Sequence, residues 1–80
     1  MAHGQKRSLR IAGHATSVAL EPEFWRALEE IAAARGIALA ALVAEVDGAR
    51  AETRPSQGLA SALRVHALEW RRAGLAAKRG

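Results

Sequence analysis

The chain has 80 residues, with 12 Lys and Arg against 8 Asp and Glu, a net charge of +4 and a sequence pI near 11. This length allows one domain with a small core, and the absence of cysteine excludes disulfides and thiolate metal sites. No run approaches the roughly 18 apolar residues of a membrane span, and the N-terminus lacks a hydrophobic signal core, so we expect no membrane contact and a cytoplasmic location. The basic balance suits a polyanionic partner.

The cations are concentrated near the two ends of the chain. Lys6, Arg7 and Arg10 lie in the N-terminal segment, and Arg71, Arg72, Lys78 and Arg79 lie in the C-terminal segment. We expect residues 1–7 to form a flexible basic arm, residues 8–73 to form the domain and residues 74–80 to form a flexible tail. A run of charge by itself is typical of a solvated surface, but this arm directly precedes a predicted strand.

In the segment Ala15–Leu20, Val18 and Leu20 alternate with the small residues Ser17 and Ala19, which predicts a half-buried strand. The segment Leu9–Ala12 carries a weaker signal of the same kind. It either pairs with the stronger strand through a Gly13-His14 turn, placing Arg10 beside the outer face, or belongs to a disordered arm. A lone strand leaves its hydrogen-bonding edges open, so its partner must be a neighbouring segment or a second copy.

Three helices are predicted after the strands. The first runs from Pro22 to about Arg35, because proline and acidic neighbours suit a helix start, and Gly36 is expected to end it in a left-handed conformation. The second runs from about Leu39 to Arg50. The inward-facing residues of these two helices are Trp25, Leu28, Ile31, Ala32, Leu39, Leu42, Val43 and Val46.

The third helix is predicted over about Leu59 to Arg72, with Ser56 as its N-cap and Gly74 at its end. Its apolar stripe consists of Leu59, Leu63, His66 and Trp70, joined by Ala62, Ala67 and Leu68. Alanine-rich faces bury little area, and we expect the surfaces that carry Trp25, Leu28, Leu42, Val43 and Val46 to need a second subunit. Together with the open strand edge, this predicts an obligate homodimer.

The order of strand, helix, glycine turn and helix resembles the ribbon-helix-helix family, and more closely a bacterial subgroup with an additional C-terminal helix. The motifs that carry the resemblance are Gly13-His14, Thr16-Ser17-Val18, Leu20-Glu21, Phe24-Trp25, Ile31-Ala32, the segment 42–45 and the segment 61–65. They span about residues 6–72. The resemblance implies a mainly α fold with a β-ribbon, an intertwined homodimer and double-stranded DNA as partner, with the ribbon inserted in the major groove.

The resemblance also implies which residues face DNA. By position these are Ala15, Ser17 and Ala19 on the ribbon and Leu39 at the start of the second helix, with Lys6, Arg7, Arg10 and His14 as further contacts. Ribbon readers of the family usually carry Arg, Lys, Asn or Gln, whereas an alanine offers only van der Waals contact, for instance to a thymine methyl. Ala38 and Ala40 replace a capping Ser or Thr, which leaves backbone N–H groups to bind phosphate. We therefore expect modest sequence discrimination.

The sequence does not predict a catalytic or metal-binding site. The three histidines share no i, i+3 or i, i+4 spacing, and we expect no catalytic residue, no metal and no cofactor. Trp25 and Trp70 fit core positions better than base-stacking positions. The predicted function is transcriptional regulation through DNA binding. The alternative is an antitoxin-like or scaffold dimer whose C-terminal helix binds a protein partner.

Overall fold

The computed structural model describes the backbone of residues 4–79 and the side chains of residues 4–75. Two strands, β1 (Gln5–Ile11) and β2 (His14–Leu20), precede three helices, α1 (Pro22–Arg35), α2 (Leu39–Thr53) and α3 (Leu59–Arg79). The predicted mainly α fold with a β-ribbon and a third helix is thereby confirmed. Residues 1–3 of the predicted arm lie outside the described residues.

The two strands form one antiparallel hairpin, so the paired arrangement of the N-terminal segment is the one found. Its turn is Ala12-Gly13, with φ of 52° and 82°, and His14 already pairs with Ile11. Two consecutive positive φ values match the right-handed twist of a two-residue hairpin. The predicted Gly13-His14 turn is therefore displaced by one residue. The expected flexible arm is also wrong for residues 5–7, which belong to β1.

The core lies between one face of the hairpin and the three helices. It contains Ile11, Val18, Leu20, Trp25, Leu28, Ile31, Ala32, Leu42, Val43, Val46, Ala62, Leu63 and Ala67. Trp25 is its largest fully buried side chain, and its indole N–H donates to the carbonyl of Gln5 at 2.7 Å. This bond satisfies the one polar atom of the ring and ties β1 to α1.

The C-terminal ends of α1 and α2 differ in structure. Gly36 adopts a φ of 69° and its N–H donates to the end of α1, which confirms it as the C-cap. Helix α2 continues beyond the predicted Arg50 to Thr53. The Arg50 guanidinium donates to Asp47 and to the carbonyls of Pro55 and Gln57, at 2.8 Å for the last, so it holds the connection to α3.

Helix α3 begins at Leu59, as predicted, but its N-cap and its end differ from the prediction. The N–H of Ala62 donates to the carbonyl of Gly58 at 3.0 Å, so the chain enters the helix at Gly58 and Ser56 is not its N-cap. The helix also continues through Gly74 to Arg79, where a flexible tail was expected. A glycine inside a helix costs about 1 kcal/mol relative to alanine, and the good helix formers around it, such as Ala73 and Leu75, offset that cost.

The core of one chain is closed by α3, and this removes one reason for predicting a dimer. Trp25, Leu28, Leu42 and Val43 are fully buried and Val46 is nearly so within a single chain. The expectation that these surfaces need a second subunit is wrong, because α3 packs against both α1 and α2. The predicted inward stripe of α3 is also wrong in part, since Leu68 is 57% exposed and Trp70 is 42% exposed.

Candidate nucleic-acid interface

The outward face of the hairpin is built from alternate residues of both strands. Lys6 pairs with Ala19, Ser8 with Ser17 and Arg10 with Ala15, and all six residues are exposed. The structure thus places Ala15, Ser17 and Ala19 on one outward face, as their alternation predicts. We call these six residues the ribbon face.

The ribbon face combines cations on β1 with small side chains on β2. Lys6 and Arg10 stand on either side of Ser8, whose hydroxyl lies 3.5 Å from that of Ser17. The Arg10 guanidinium donates to the carbonyl of Gly13 at 3.1 Å, which holds it at the turn. Neither strand contains an acidic residue, so the charged side chains of the face, Lys6 and Arg10, are both cations. Sequence reasoning missed Ser8, although the alternation of β1 could have identified it.

Arg7 lies on the other side of the hairpin. Its guanidinium stacks on the Trp25 ring at 4.8 Å from the ring centroid and bonds to Glu29 at 3.0 Å. These contacts clamp β1 to α1 and use both the planar face and the donors of the guanidinium. The sequence grouped Arg7 with Lys6 and Arg10 as a DNA contact, and that grouping is wrong about its side of the ribbon.

His14 and Leu39 are the remaining predicted contacts. His14 is exposed at the tip of the hairpin. Because side chains alternate along a strand, it lies on the same side of β2 as Thr16 and Val18, which face the helices. Leu39 is half-buried against the core, so its side chain does not project from the helix start. Ala38 makes no capping side-chain bond, and the first-turn N–H groups of α2 keep the positive end of the helix dipole. Of the predicted contacts, the ribbon face contains Lys6, Arg10, Ala15, Ser17 and Ala19. His14 and Leu39 lie outside it.

A salt bridge holds the base of the hairpin against α3. Arg64 donates twice to Glu21, at 3.0 and 3.3 Å, and its guanidinium also lies over the Phe24 ring. The hydrogen bonds from Arg64 are the main reason why the pKa of Glu21 is lowered. Because Glu21 directly follows β2, this pair fixes the orientation of the hairpin relative to the third helix. The partners lie 43 positions apart, so no sequence pattern could identify the pair.

Catalytic groupings do not emerge in the part of the chain that the structure describes. Residues 4–75 contain no group of three or more His, Cys, Asp and Glu side chains that could hold a metal ion. A shallow hollow of about 760 Å³ between α2 and α3 is lined in part by Glu45, Arg50 and His66. Glu45 forms an ion pair with Arg35 at 2.8 Å, and Arg50 forms one with Asp47 at the same distance. No described helix is long and apolar enough to cross a membrane.

The fold is a β-hairpin followed by three helices, and the outward face of the hairpin carries cations. This arrangement places the chain among the small domains in which a β-ribbon precedes the helices. The chain belongs to the ribbon-helix-helix family, whose domain model matches residues 4–71. The family typically binds DNA, as regulators or antitoxins.

The chain is also similar to a solved structure, that of an uncharacterized protein from Bordetella pertussis Tohama I. The two share 37% sequence identity and superpose with a TM-score of 0.80 over 92% of this chain. The chain spans about 60% of the length of that protein. No protein with curated annotation matches this chain.

Proposed function

We propose that this protein is a homodimeric DNA-binding regulator that acts in the bacterial cytoplasm and docks its ribbon face on the major groove. The observation that carries the proposal is the ribbon face itself, where cations and small side chains stand together without a carboxylate. Family membership supports DNA as the polyanion.

The two hairpin edges differ in how well they are protected from pairing. Strand β1 carries Lys6, Arg7 and Arg10, and charged residues are a common device that keeps an edge strand from pairing. Strand β2 contains no Lys, Arg, Asp or Glu over seven residues. The β2 edge is therefore the one that a second copy pairs with, which produces an antiparallel sheet in the order β1, β2, β2, β1.

The width of this four-stranded sheet determines how it meets DNA. Strands lie about 4.8 Å apart, so the two outer strands are separated by about 14 Å. The major groove is about 12 Å wide, so it accepts the two central strands while the outer strands lie over its walls. Ala15, Ser17 and Ala19 then face base edges, and Lys6 and Arg10 of each subunit face the phosphates.

This division of roles predicts weak base discrimination. Alanine side chains make only van der Waals contacts, which favour thymine methyl groups, and serine donates or accepts without distinguishing base pairs sharply. Phosphate contacts supply affinity and fix the position of the protein but carry no sequence information. The first-turn N–H groups of α2 add two uncharged phosphate sites per dimer.

The proposal is tested by placing a carboxylate on the ribbon face. Ser17→Glu introduces a negative charge between the two rows of phosphates, and we expect it to abolish the binding of a fluorescent duplex measured by anisotropy at low salt. Ser61→Glu makes the same chemical change at an exposed position in the first turn of α3 and should leave the affinity unchanged. Equal affinities of the two variants would contradict the proposal, as would a parent protein that binds no duplex.

A further inference from the structure

The large hydrophobic side chains that remain exposed in residues 4–75 all lie on α3. They are Val65, Leu68, Trp70 and Leu75, exposed by 41%, 57%, 42% and 64%. Trp70 lies on the side of the body, where it lines a hollow with Ala27 and Ile31. Leu75 borders the same hollow and Val65 borders the hollow between α2 and α3, whereas Leu68 borders neither. A helix that is apolar on the side away from its own core has surface that is suited to a further partner.

The spacing of these residues defines a narrow seam. Val65, Leu68, Arg72 and Leu75 recur at intervals of three and four residues, and we call them the outer stripe. At 100° per residue they cluster on the face of α3 opposite Leu63, which is fully buried. Such strict alternation of three and four is the pattern of a helix that packs against one other helix.

The net charge of the protein is concentrated in the C-terminal segment that contains the stripe. Residues 64–79 contain five Lys and Arg and a single acid, Glu69, so the other residues hold seven of each sign. The whole net charge of +4 therefore lies in this segment. Arg71 and Arg72 have side chains that are 67% and 71% exposed, and their ion pairs to Glu30 and Glu69 are long, at 3.8 and 3.4 Å.

We propose that the outer stripe is the docking surface for an acidic amphipathic α-helix of a partner protein. The leucines and valine of the stripe would bury against apolar residues of that helix, while its carboxylates would replace the long, exposed pairs of Arg71 and Arg72. Arg64 is held by Glu21 and takes no part.

Charge and shape argue against the other occupants. A second copy of this chain would bring a second Arg72 into the same seam and a second Arg71 beside it, so self-pairing of α3 is opposed by repulsion. A lipid surface favours a broad apolar face, whereas this stripe is narrow and has Arg72 within it. DNA phosphates gain nothing from contact with exposed leucines, since they bind cations and N–H groups.

The test uses a synthetic peptide of about 21 residues with leucine at heptad positions a and d and glutamate at e and g. We expect it to bind the full chain in calorimetric titration, and we expect a matched peptide with lysine at e and g to bind at least about tenfold more weakly. Leu68→Glu should weaken binding of the acidic peptide at least about tenfold, because it both removes apolar area and adds a like charge. Ala73→Glu, on the same helix but outside the stripe, should lower the affinity much less.

Circular dichroism melting separates docking from folding, because Leu68 is exposed and its variant should melt at the temperature of the parent. Equal affinity of the parent and Leu68→Glu for the acidic peptide would overturn the proposal. So would equal binding of the two peptides, a change in oligomeric state caused by Leu68→Glu, or binding to anionic phospholipid vesicles that Leu68→Glu abolishes. Duplex DNA binding should be the same for the parent and Leu68→Glu, so the test does not depend on the proposed function.

Discussion

The least favourable backbone conformation in the hairpin belongs to Ala12. Its φ of 52° lies in the left-handed region, which costs roughly 1–2 kcal/mol for a residue with a Cβ atom. Asparagine is preferred at the first position of such a two-residue turn, and glycine adopts the conformation freely. The turn therefore carries local strain that the surrounding pairs of β1 and β2 overcome.

Relieving this strain should stabilise the protein. Ala12→Asn is expected to raise the free energy of unfolding by about 1 kcal/mol, measured by urea denaturation, which corresponds to several degrees in melting temperature for a domain of this size. Gly13→Ala, with its φ of 82°, is expected to do the opposite. A stabilising Gly13→Ala or a destabilising Ala12→Asn would contradict the observed turn.

Two carboxylates that accept hydrogen bonds from arginines connect stability to pH. Hydrogen bonds from Arg64 lower the pKa of Glu21, and hydrogen bonds from Arg35 lower the pKa of Glu45, both from an ordinary value of 4.5. A carboxylate whose pKa is lower in the folded state stabilises the fold fully above its unfolded pKa and loses that contribution as pH falls through the folded pKa.

We therefore expect the free energy of unfolding to fall as the pH is lowered below about 4.5. The double variant Glu21→Gln with Glu45→Gln should show a weaker dependence in this acid range, measured by denaturation at a series of pH values. A control with the exposed residues Glu23 and Glu52 changed to Gln keeps the same charge change away from these two pairs. If both double variants follow the same pH curve, the two ion pairs contribute nothing to acid stability.

At the scale of elements, the sequence predicts what depends on short-range patterns. Pro22, the apolar spacing of Trp25, Leu28 and Ile31, and Gly36 define α1 by local signals, and the structure has the helix at the predicted bounds. The same holds for the outward face of β2, because side-chain direction alternates along a strand. The hairpin turn moved by one residue because alanine at a positive φ is not a recognisable turn signal.

Long-range packing decided what sequence patterns could not. The side of the ribbon that holds Arg7 depends on a contact with Trp25 in α1, and the closure of the core depends on where α3 lies. Leu68 fits an apolar stripe by spacing but is exposed, since one helix can carry two stripes and only one of them faces the core. The position of the turn sets the register of the two strands. The register in turn determines that Lys6 and Arg10 lie on the ribbon face.

The free edge of β2 offers a direct test of the dimer. In a two-residue hairpin Ile11 and His14 exchange hydrogen bonds, so by alternation the N–H groups of Ser8 and Ser17 point away from each other, toward the outer edges. Proline at either position removes one edge donor without removing a bond of the hairpin. We expect Ser17→Pro to convert a dimer to a folded monomer in sedimentation and Ser8→Pro to leave the dimer intact. The reverse result would assign the dimer to the β1 edge.

At the scale of the whole molecule, a core that is closed within one chain adjoins a β2 edge that carries no Lys, Arg, Asp or Glu. The helices need no second copy to bury their apolar residues, so in the proposed dimer the contact reduces to the ribbon and what adjoins it. The four-stranded sheet of that proposed dimer would carry its cations in two rows, which would match the two phosphate rows of a groove. The outer stripe of α3 is the surface that we propose for a further partner.

The central claim, that Lys6 and Arg10 of the ribbon face bind phosphates, is tested most directly by the salt dependence of duplex binding. Four cations per dimer predict a slope of about −4 for the logarithm of affinity against that of salt concentration. Changing Lys6 and Arg10 to Gln should reduce this slope to near zero. Changing Arg26 and Arg54 to Gln, which removes the same charge from exposed positions on α1 and beyond α2, should leave the slope near −4. If the slope is unchanged by the first pair and lost with the second, the ribbon face is not the surface that binds DNA.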